Sequence, residues 1–444
     1  MISWIFEYPE SAVLFLLALV YLIIVLCRRD DLMKPMNVYC LSQMSLVGIA
    51  YLKLNRAMTD FRLTTWLFWG GALVSFFAGC LLLDWAWRAC GGPALHSPLN
   101  PSKSYDWGKH VALCFVAFGF FLIGVFGVIS IAGNFILFTE HPGLWMGKNP
   151  KVGSLAIYFC SSPMVVGLFG IAAFKAWNPS RKLRTISRVM IPVTIALSFM
   201  TFPNRGTTFI CVGILFVLYN YLHRKLSFLV VGIFSAVLLV AFVAIAMLRD
   251  QYSDNSVNGA VLGSALDLPY KYIANNYWNF DYALNPPSDR PRGNFTYGVD
   301  ALFGIDDLVH IGSAIRTSNG WDSPYNESAE KVTGLNTVLY VWDAYKDFGV
   351  PGVILLPLFF GFLFTYIYRK MAVARTPGPL LFHSMFVFWI LQWSFTTGYK
   401  QPMYWIWIMF FLLIPALCSK KLPADAIFVK KIAQENYSNN NVAC

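Results

Sequence analysis

Long apolar runs separated by short polar segments dominate this chain of 444 residues. Several runs are long enough to cross about 30 Å of hydrocarbon as helices, at about 1.5 Å per residue. The pattern predicts an all-α fold, a polytopic transmembrane helix bundle of about 11 spans. The runs lie near residues 11–27, 37–52, 64–86, 111–132, 153–174, 189–203, 208–222, 227–248, 350–368, 379–398 and 403–418.

Composition supports a membrane environment. Hydrophobic residues make up 57% of the chain and charged residues only 13%, against roughly 25% charged in ordinary globular proteins. The net charge of +11 is not a nucleic-acid signal, because the Lys and Arg residues mostly flank the apolar runs. We therefore expect membrane lipid, and no nucleic acid, among the partners.

The charges around the apolar runs predict an orientation. Glu7 and Glu10 precede the first run and Arg28 and Arg29 follow it, which argues against a cleavable signal peptide and places the N-terminus outside. If successive spans alternate in direction from an outside N-terminus, the basic segments 181–188, 224–225 and 369–375 lie on the cytoplasmic side. The cations of residues 53–62 would lie outside and are an exception to the positive-inside rule. The expected parts are N-terminal spans (1–248), a large extracytoplasmic loop (249–348), C-terminal spans (349–418) and a basic cytoplasmic tail (419–444).

The loop 249–348 is rich in Asp, Asn, Tyr, Gly and Pro and is too polar to cross lipid. Its end has helical periodicity, which predicts an interfacial helix with one apolar and one polar face. Gly349 and Pro351 are expected to break the chain before the next span. The apolar face would carry Leu335, Val338, Leu339, Trp342 and Tyr345, and the polar face Asn336, Asp343 and Asp347.

Nine cysteines are present, but none lies in the large loop and none forms a CxxC pattern. Neither a disulfide framework nor a zinc site is indicated. We expect these cysteines to be small apolar core residues, and no metal or other cofactor.

A first candidate for chemistry is the turn between two spans, residues 202–208. Its Arg205 lies outside the positive-inside pattern, and a guanidinium can hold a pyrophosphate or carboxylate with two hydrogen bonds. The alternative is an arginine that extends to the lipid headgroups.

A second candidate is the set of cations, amides and aromatic residues in the large loop. Sugar C–H faces stack on aromatic rings while hydroxyl groups bind polar partners, so this mixture favours glycan binding. For any single cation, a solvated loop charge is the alternative. The candidate substrate-binding residues are Arg249, Lys271, Tyr272, Tyr277, Arg290, Arg292, Asn336 and Tyr345.

A third candidate is a general base. His310 is the only histidine of the large loop, and imidazole titrates near neutral pH. Asp306, Asp307 and Asp347 are rival bases, and an incidental role for His310 is the alternative. With Arg205, the candidate catalytic residues are His310, Asp307 and Asp347.

Two strings near the end of the loop, residues 334–340 (GLNTVLY) and 345–352 (YKDFGVPG), resemble a known family. They are similar to the end of the large periplasmic loop of bacterial Wzy-type polymerases, which join O-antigen or exopolysaccharide repeat units. The turn 204–208 (NRGTT) is similar to the arginine-containing turn of that family. The order of spans, turn and loop agrees over roughly residues 110–418.

The resemblance implies a metal-independent glycosyltransferase of the bacterial inner membrane, with its large loop in the periplasm. It would move a growing chain from undecaprenyl pyrophosphate onto a new lipid-linked repeat unit. Arg205 would neutralise the leaving group, assisted by Arg249, Arg290 or Arg292, and a loop acid or His310 would deprotonate the acceptor. Its implied partners are undecaprenyl-pyrophosphate-linked glycans; a chain-length regulator and a flippase are candidate partners.

Three other classes stay open. An O-antigen ligase shares the donor but transfers to a lipid core. Another lipid-dependent glycosyltransferase would be expected to carry acidic residues in its first external loop, where Asp60 stands alone. A polysaccharide transporter would be expected to place charges within spans and to show internal repeats.

Overall fold

The computed structural model describes residues 8–54, 59–93, 95, 105–139, 150–201, 205–237, 240, 264–285, 295–299, 338–373, 376–394 and 398–419. Over these ranges the chain is mostly helical and contains no strand. The helices confirm the all-α prediction for the part of the chain that they cover.

The described residues form fourteen helices, α1 to α14 in chain order. The first seven are α1 (Pro9–Cys27), α2 (Pro35–Ala50), α3 (Leu63–Ala89), α4 (Trp107–Ala132), α5 (Pro150–Ser154), α6 (Ala156–Phe159) and α7 (Ser162–Ala172). The others are α8 (Arg181–Thr201), α9 (Arg205–Leu222), α10 (Phe228–Val237), α11 (Ser264–Leu284), α12 (Tyr340–Lys370), α13 (Gly378–Gln392) and α14 (Pro402–Cys418). Short 3-10 turns lie at Ile136–Phe138 and Gly398–Lys400.

Five of the described helices, α1, α3, α4, α8 and α12, are long and apolar enough to cross a membrane. Large apolar side chains on them face outward, such as Leu16, which is 59% exposed. Water would disfavour so much exposed apolar surface, whereas lipid hydrocarbon accommodates it. The helices therefore support a membrane protein, and the count of about 11 spans stays a prediction.

The predicted span at 153–174 is not one continuous helix. The chain forms three short helices there, with interruptions at Leu155 and at Cys160–Ser161, and Pro163 lies in the first turn of α7. Every residue of α7 is buried. Because α7 packs among α4, α8, α9 and α14, its apolar composition reflects a protein interior rather than contact with lipid.

The closest helix packing joins α3 and α12. A Cβ atom on Gly79 would collide with the Leu358 carbonyl group, and one on Gly361 would collide with the Phe76 carbonyl group. Two glycines thus allow the backbones to approach, and the Cys80 thiol lies 3.4 Å from the Gly361 carbonyl oxygen. In a membrane the hydrophobic effect does not drive helices together, and small residues commonly lie at helix contacts because they allow close van der Waals packing.

Helix α12 is kinked at Gly349, which has φ 65° and ψ −152°. Non-glycine residues rarely adopt this conformation, so the glycine is required at this position. The predicted break at Gly349 is confirmed. The kink separates the segment 340–348 from the long apolar part of α12.

Charged residues from several helices meet at one end of the bundle. The Lys34 ammonium lies 2.5 Å from one Asp84 oxygen, and the Arg369 guanidinium donates to the other at 2.8 Å. Asp31 accepts from the hydroxyl groups of Tyr221 at 2.5 Å and Tyr368 at 3.1 Å. We call this end the basic end. In addition to Lys34 and Arg369, four cations lie nearby: Arg29 after α1, Arg88 on α3, and Arg224 and Lys225 after α9.

Helix α11 lies at the opposite end, which we call the polar end. Helix α2 runs from the basic end to Ala50, and the Tyr270 hydroxyl donates to the Ala50 carbonyl oxygen at 3.0 Å. Helix α11 packs on α2, α3 and α12. It lies within the polar segment predicted as a loop, and the sequence pattern did not predict it as a helix.

Candidate functional site

Helix α11 places amide and ammonium groups in the interior of the polar end. Lys271, Asn275 and Asn279 recur at intervals of four residues and so share one helix face. Asn275 is fully buried, Asn279 is 2% exposed and Lys271 is 8% exposed. Side chains of this kind are rarely buried without hydrogen-bond partners, so this face is built for polar contacts.

A hydrogen-bonded triangle connects α11 with α2 and the end of α13. The Tyr277 hydroxyl lies 3.3 Å from the Gln43 side-chain oxygen and 3.1 Å from the Ser394 hydroxyl. The Gln43 amide donates to the same hydroxyl at 3.0 Å. All three residues are buried, so this polar network fixes the depth at which α11 sits.

The first turn of α12 is anchored beside this triangle. The Tyr340 hydroxyl lies 2.5 Å from that of Tyr39, and the Tyr340 ring stacks on Trp393 at 4.5 Å. Trp393 also contacts the rings of Phe76 and Phe364. The aromatic core of the bundle therefore extends up to the polar site.

An ion pair lies one turn further along α12. The Lys400 ammonium, from the 3-10 turn before α14, donates to Asp343 at 2.6 Å, and both side chains are about 10% exposed. A buried pair of this kind is costly to break, because removing one partner leaves a charge in a poorly solvated place. The pair fixes α14 to α12.

Asp347 has different surroundings. Its side chain is fully buried and accepts from the Thr296 hydroxyl at 2.5 Å, while the Thr296 N–H donates to the Lys346 carbonyl oxygen at 3.0 Å. Asp347 also lines a cavity of about 760 Å³ that continues along α12 past Leu355 to Phe359. Asp347 thus lies where the buried polar site borders an apolar groove along the membrane-facing side of α12.

Asp281 of α11 has a structural role. It accepts from the Thr65 hydroxyl at 2.5 Å and from the Arg62 N–H at 2.8 Å, at the start of α3. A carboxylate at this position satisfies otherwise unpaired donors and favours the helix N-terminus. We exclude Asp281 from the candidate reactive groups.

Asp60 is held in the segment between α2 and α3. Hydrogen bonds from the Lys53 ammonium and the Tyr51 hydroxyl lower the pKa of the Asp60 carboxyl below its ordinary value. These contacts are present above the ordinary carboxyl pKa and are lost as the pH falls through the lowered value. The carboxylate is largely exposed, so its contacts fasten the connection rather than create a reactive group.

Four predicted residues are brought to the polar end: Lys271, Tyr277, Tyr345 and Asp347. Tyr345 packs edge-on against Phe295 at 5.6 Å. Arg205 is the first residue of α9. Tyr221, near the C-terminus of α9, contacts Asp31 at the basic end, so the N-terminus of α9 lies at the polar end. The side chains of Arg205 and Tyr272 are outside the described set, and Arg249, Arg290, Arg292, Asp306, Asp307, His310 and Asn336 lie outside the described residues.

The predicted interfacial helix is wrong in one respect. Its polar face was expected to meet water, yet Asp343 and Asp347 are buried and bound to Lys400 and Thr296. The reason is that Thr296 and the turn before α14 supply polar partners for that face. The segment is therefore part of the bundle interior.

Other residues of the site were not predicted. Gln43, Ser394 and Lys400 come from apolar spans or their ends, where single polar residues give little signal. The spacing of Lys271, Asn275 and Asn279 was a usable signal, because three polar residues at helical intervals predict one polar face.

Comparison of the chain with protein-family models, curated proteins and solved structures finds no match. Function is therefore inferred from the site. Among the described residues, no group of three or more His, Cys, Asp or Glu side chains could hold a metal ion. The polar end offers a carboxylate beside a groove, buried amides and aromatic rings, and the N-terminus of α9.

Proposed function

We propose that this protein is a polysaccharide polymerase of the Wzy type, a glycosyltransferase that joins undecaprenyl-pyrophosphate-linked repeat units. The support comes from the resemblance of residues 204–208, 334–340 and 345–352 to that family, and from the site at the polar end. Lipid-linked glycans are the substrates, and O-antigen or exopolysaccharide is the product.

The observation that carries the proposal is the junction of polar site and apolar groove at Asp347. On one side lie buried amides, hydroxyls and rings from α2, α11 and α12; on the other, the cavity continues between Leu355 and Phe359 along the membrane-facing side of α12. A substrate with a sugar head and a long hydrocarbon tail needs this combination, because its two parts prefer different solvents.

The residues take distinct roles in the proposed reaction. Arg205, at the N-terminus of α9, neutralises the charge that develops on the pyrophosphate leaving group, and the positive end of the helix dipole adds to its effect. Asp347 accepts the proton of the acceptor hydroxyl, and Thr296 orients it. Lys271, Tyr277 and Tyr345 position the glycans.

The proposed orientation places the polar end in the periplasm and the basic end in the cytoplasm of a bacterial inner membrane. The concentration of Lys and Arg at one end supports this orientation. The proposal includes the eleven-span topology and the periplasmic placement of the loop 249–348. A flippase and a chain-length regulator are the proposed partners.

An O-antigen ligase would use the same donor and a similar site, and it is the second candidate. A transporter is less favoured, because the buried ion pairs of Asp84 and Asp343 join helix ends to one another rather than line a passage. In cells, loss of a polymerase leaves single repeat units on the lipid core, whereas loss of a ligase leaves polymer that is not transferred.

Replacement of Arg205 tests the proposal. In cells that lack their own copy, R205A is expected to abolish polymer while the protein still inserts, since removing one charge-stabilising donor costs roughly a hundredfold in rate. R205K should restore activity only in part, because an ammonium cannot form the paired hydrogen bonds. K182A, at the exposed start of α8, is the matched control and should polymerise normally; normal polymer from R205A would contradict the proposal.

A further inference from the structure

A second groove lies on the membrane-facing surface between α12, α13 and α14. Its volume is about 710 Å³, and its walls are almost wholly apolar. Many of its lining residues are aromatic, including Phe359, Phe382 and Trp405. It shares Leu356 and Phe359 with the groove at Asp347 and extends from there toward the basic end of the bundle.

The depth of this groove matches one leaflet of a bilayer. Along α12 it runs from Leu356 to Lys370, which is about 21 Å at about 1.5 Å per residue. Half of a hydrocarbon core of about 30 Å is about 15 Å, so the groove spans one leaflet and reaches the headgroup level. A lipid of the leaflet at the basic end could therefore lie along the groove with its headgroup near Lys370.

The headgroup end of the groove carries a cation. Lys370 and Thr376 line this end, and the Lys370 ammonium lies 5.2 Å from the centre of the Tyr366 ring. The neighbouring Arg369 is bound to Asp84, whereas no carboxylate of a described residue forms an ion pair with Lys370. The charge of Lys370 is therefore available to a ligand at the mouth of the groove.

We propose that this groove binds one anionic phospholipid of the leaflet at the basic end. Lys370 pairs with the phosphate, the Thr376 hydroxyl donates to the headgroup, and an acyl chain packs along the aromatic wall. Two features favour this ligand. The Lys370 cation favours an anionic headgroup. The groove is about as long as one leaflet is thick, so it accepts a lipid chain rather than a membrane-spanning helix. This inference does not depend on the proposed enzymatic function.

Native mass spectrometry of the whole delipidated protein tests the charge. Phosphatidylglycerol and phosphatidylethanolamine are added separately, and the fraction of protein carrying one lipid is measured. The wild type and K182Q, an exposed cation outside the groove, should prefer phosphatidylglycerol. K370Q should bind it about fivefold more weakly, the effect of one cation at a membrane surface. Equal retention of both lipids by the wild type, or unchanged binding by K370Q, would overturn the proposal.

Neighbouring positions on α14 test the location. Ala416 lines the groove, while Leu417 is 53% exposed and does not line it. A416W fills the space near the headgroup end and should reduce binding of phosphatidylglycerol severalfold; L417W should leave it unchanged. Both substitutions lie on the outer surface, so the bundle should fold in each case. Equal binding by the two variants would place the lipid elsewhere and refute the site.

Discussion

Asp343 and Asp347 lie four residues apart on α12, and each contacts a different part of the bundle. Asp343 is bound by the Lys400 ammonium, whereas Asp347 is bound by the Thr296 hydroxyl and lines a cavity. A carboxylate paired with a buried ammonium serves to hold two parts of the bundle together. A carboxylate oriented by a hydroxyl beside a cavity suits proton transfer.

Asp347 is therefore expected to act as a base. D347N should slow polymer formation by roughly a hundredfold or more, the scale of a general-base contribution. Its amide oxygen still accepts the Thr296 hydrogen bond, so the folded structure should persist. The rate of repeat-unit addition and the size-exclusion profile are measured together; a D347N enzyme with normal rate would remove Asp347 from the mechanism.

Asp343 is expected to act through stability. D343N removes this carboxylate from the buried Lys400 ammonium and should destabilise the protein by about 3 kcal/mol or more. The double variant D343L/K400M replaces the pair with apolar groups and should recover much of that loss. Thermal unfolding in detergent gives both values, and a double variant less stable than D343N would argue against a purely structural pair.

At the scale of elements, the contact between α3 and α12 depends on two glycines. G361A should lower the unfolding temperature, because its Cβ meets the backbone of α3 at Phe76 and forces the helices apart. G119A, on the lipid-facing side of α4 with no atom within 4 Å, is the matched control. It should be neutral or stabilising by up to about 1 kcal/mol, since alanine favours helix over glycine. Equal behaviour of the two variants would show that the contact is looser than the structure indicates.

Some elements were predictable from the sequence and others were not, for physical reasons. The apolar helices and the kink at Gly349 follow from local pattern and backbone freedom. The broken segment 150–172 and helix α11 do not, because their form depends on neighbours far along the chain. The same holds for the site: Asp347 was a candidate, but its partner Thr296 and the pair of Asp343 with Lys400 emerge only on folding.

At the scale of the whole molecule, the bundle has two chemically different ends. Cations collect with Asp31 and Asp84 at the basic end, while amides, rings and Asp347 collect at the polar end. This asymmetry predicts which side faces the cytoplasm. The grooves along α12 lead toward the two ends, one from Asp347 and one from Lys370.

The orientation is tested with single cysteines in a background without native cysteines. Tyr297, at the polar end, is 79% exposed, and Thr185 is exposed near the start of α8 at the basic end. In intact cells an impermeant thiol reagent should label Y297C and leave T185C unmodified until the membrane is opened. Labelling of T185C alone would reverse the proposed orientation.

The most direct test is the reaction itself. The purified protein in lipid is given an undecaprenyl-pyrophosphate-linked repeat unit, and the products are separated by length across the wild type, R205A and D347N. The wild type should produce a ladder of lipid-linked chains and release one undecaprenyl pyrophosphate for each bond formed, while both variants should yield mainly single units. No ladder from the wild type, or transfer only when a lipid core is supplied, would contradict the assignment as a polymerase.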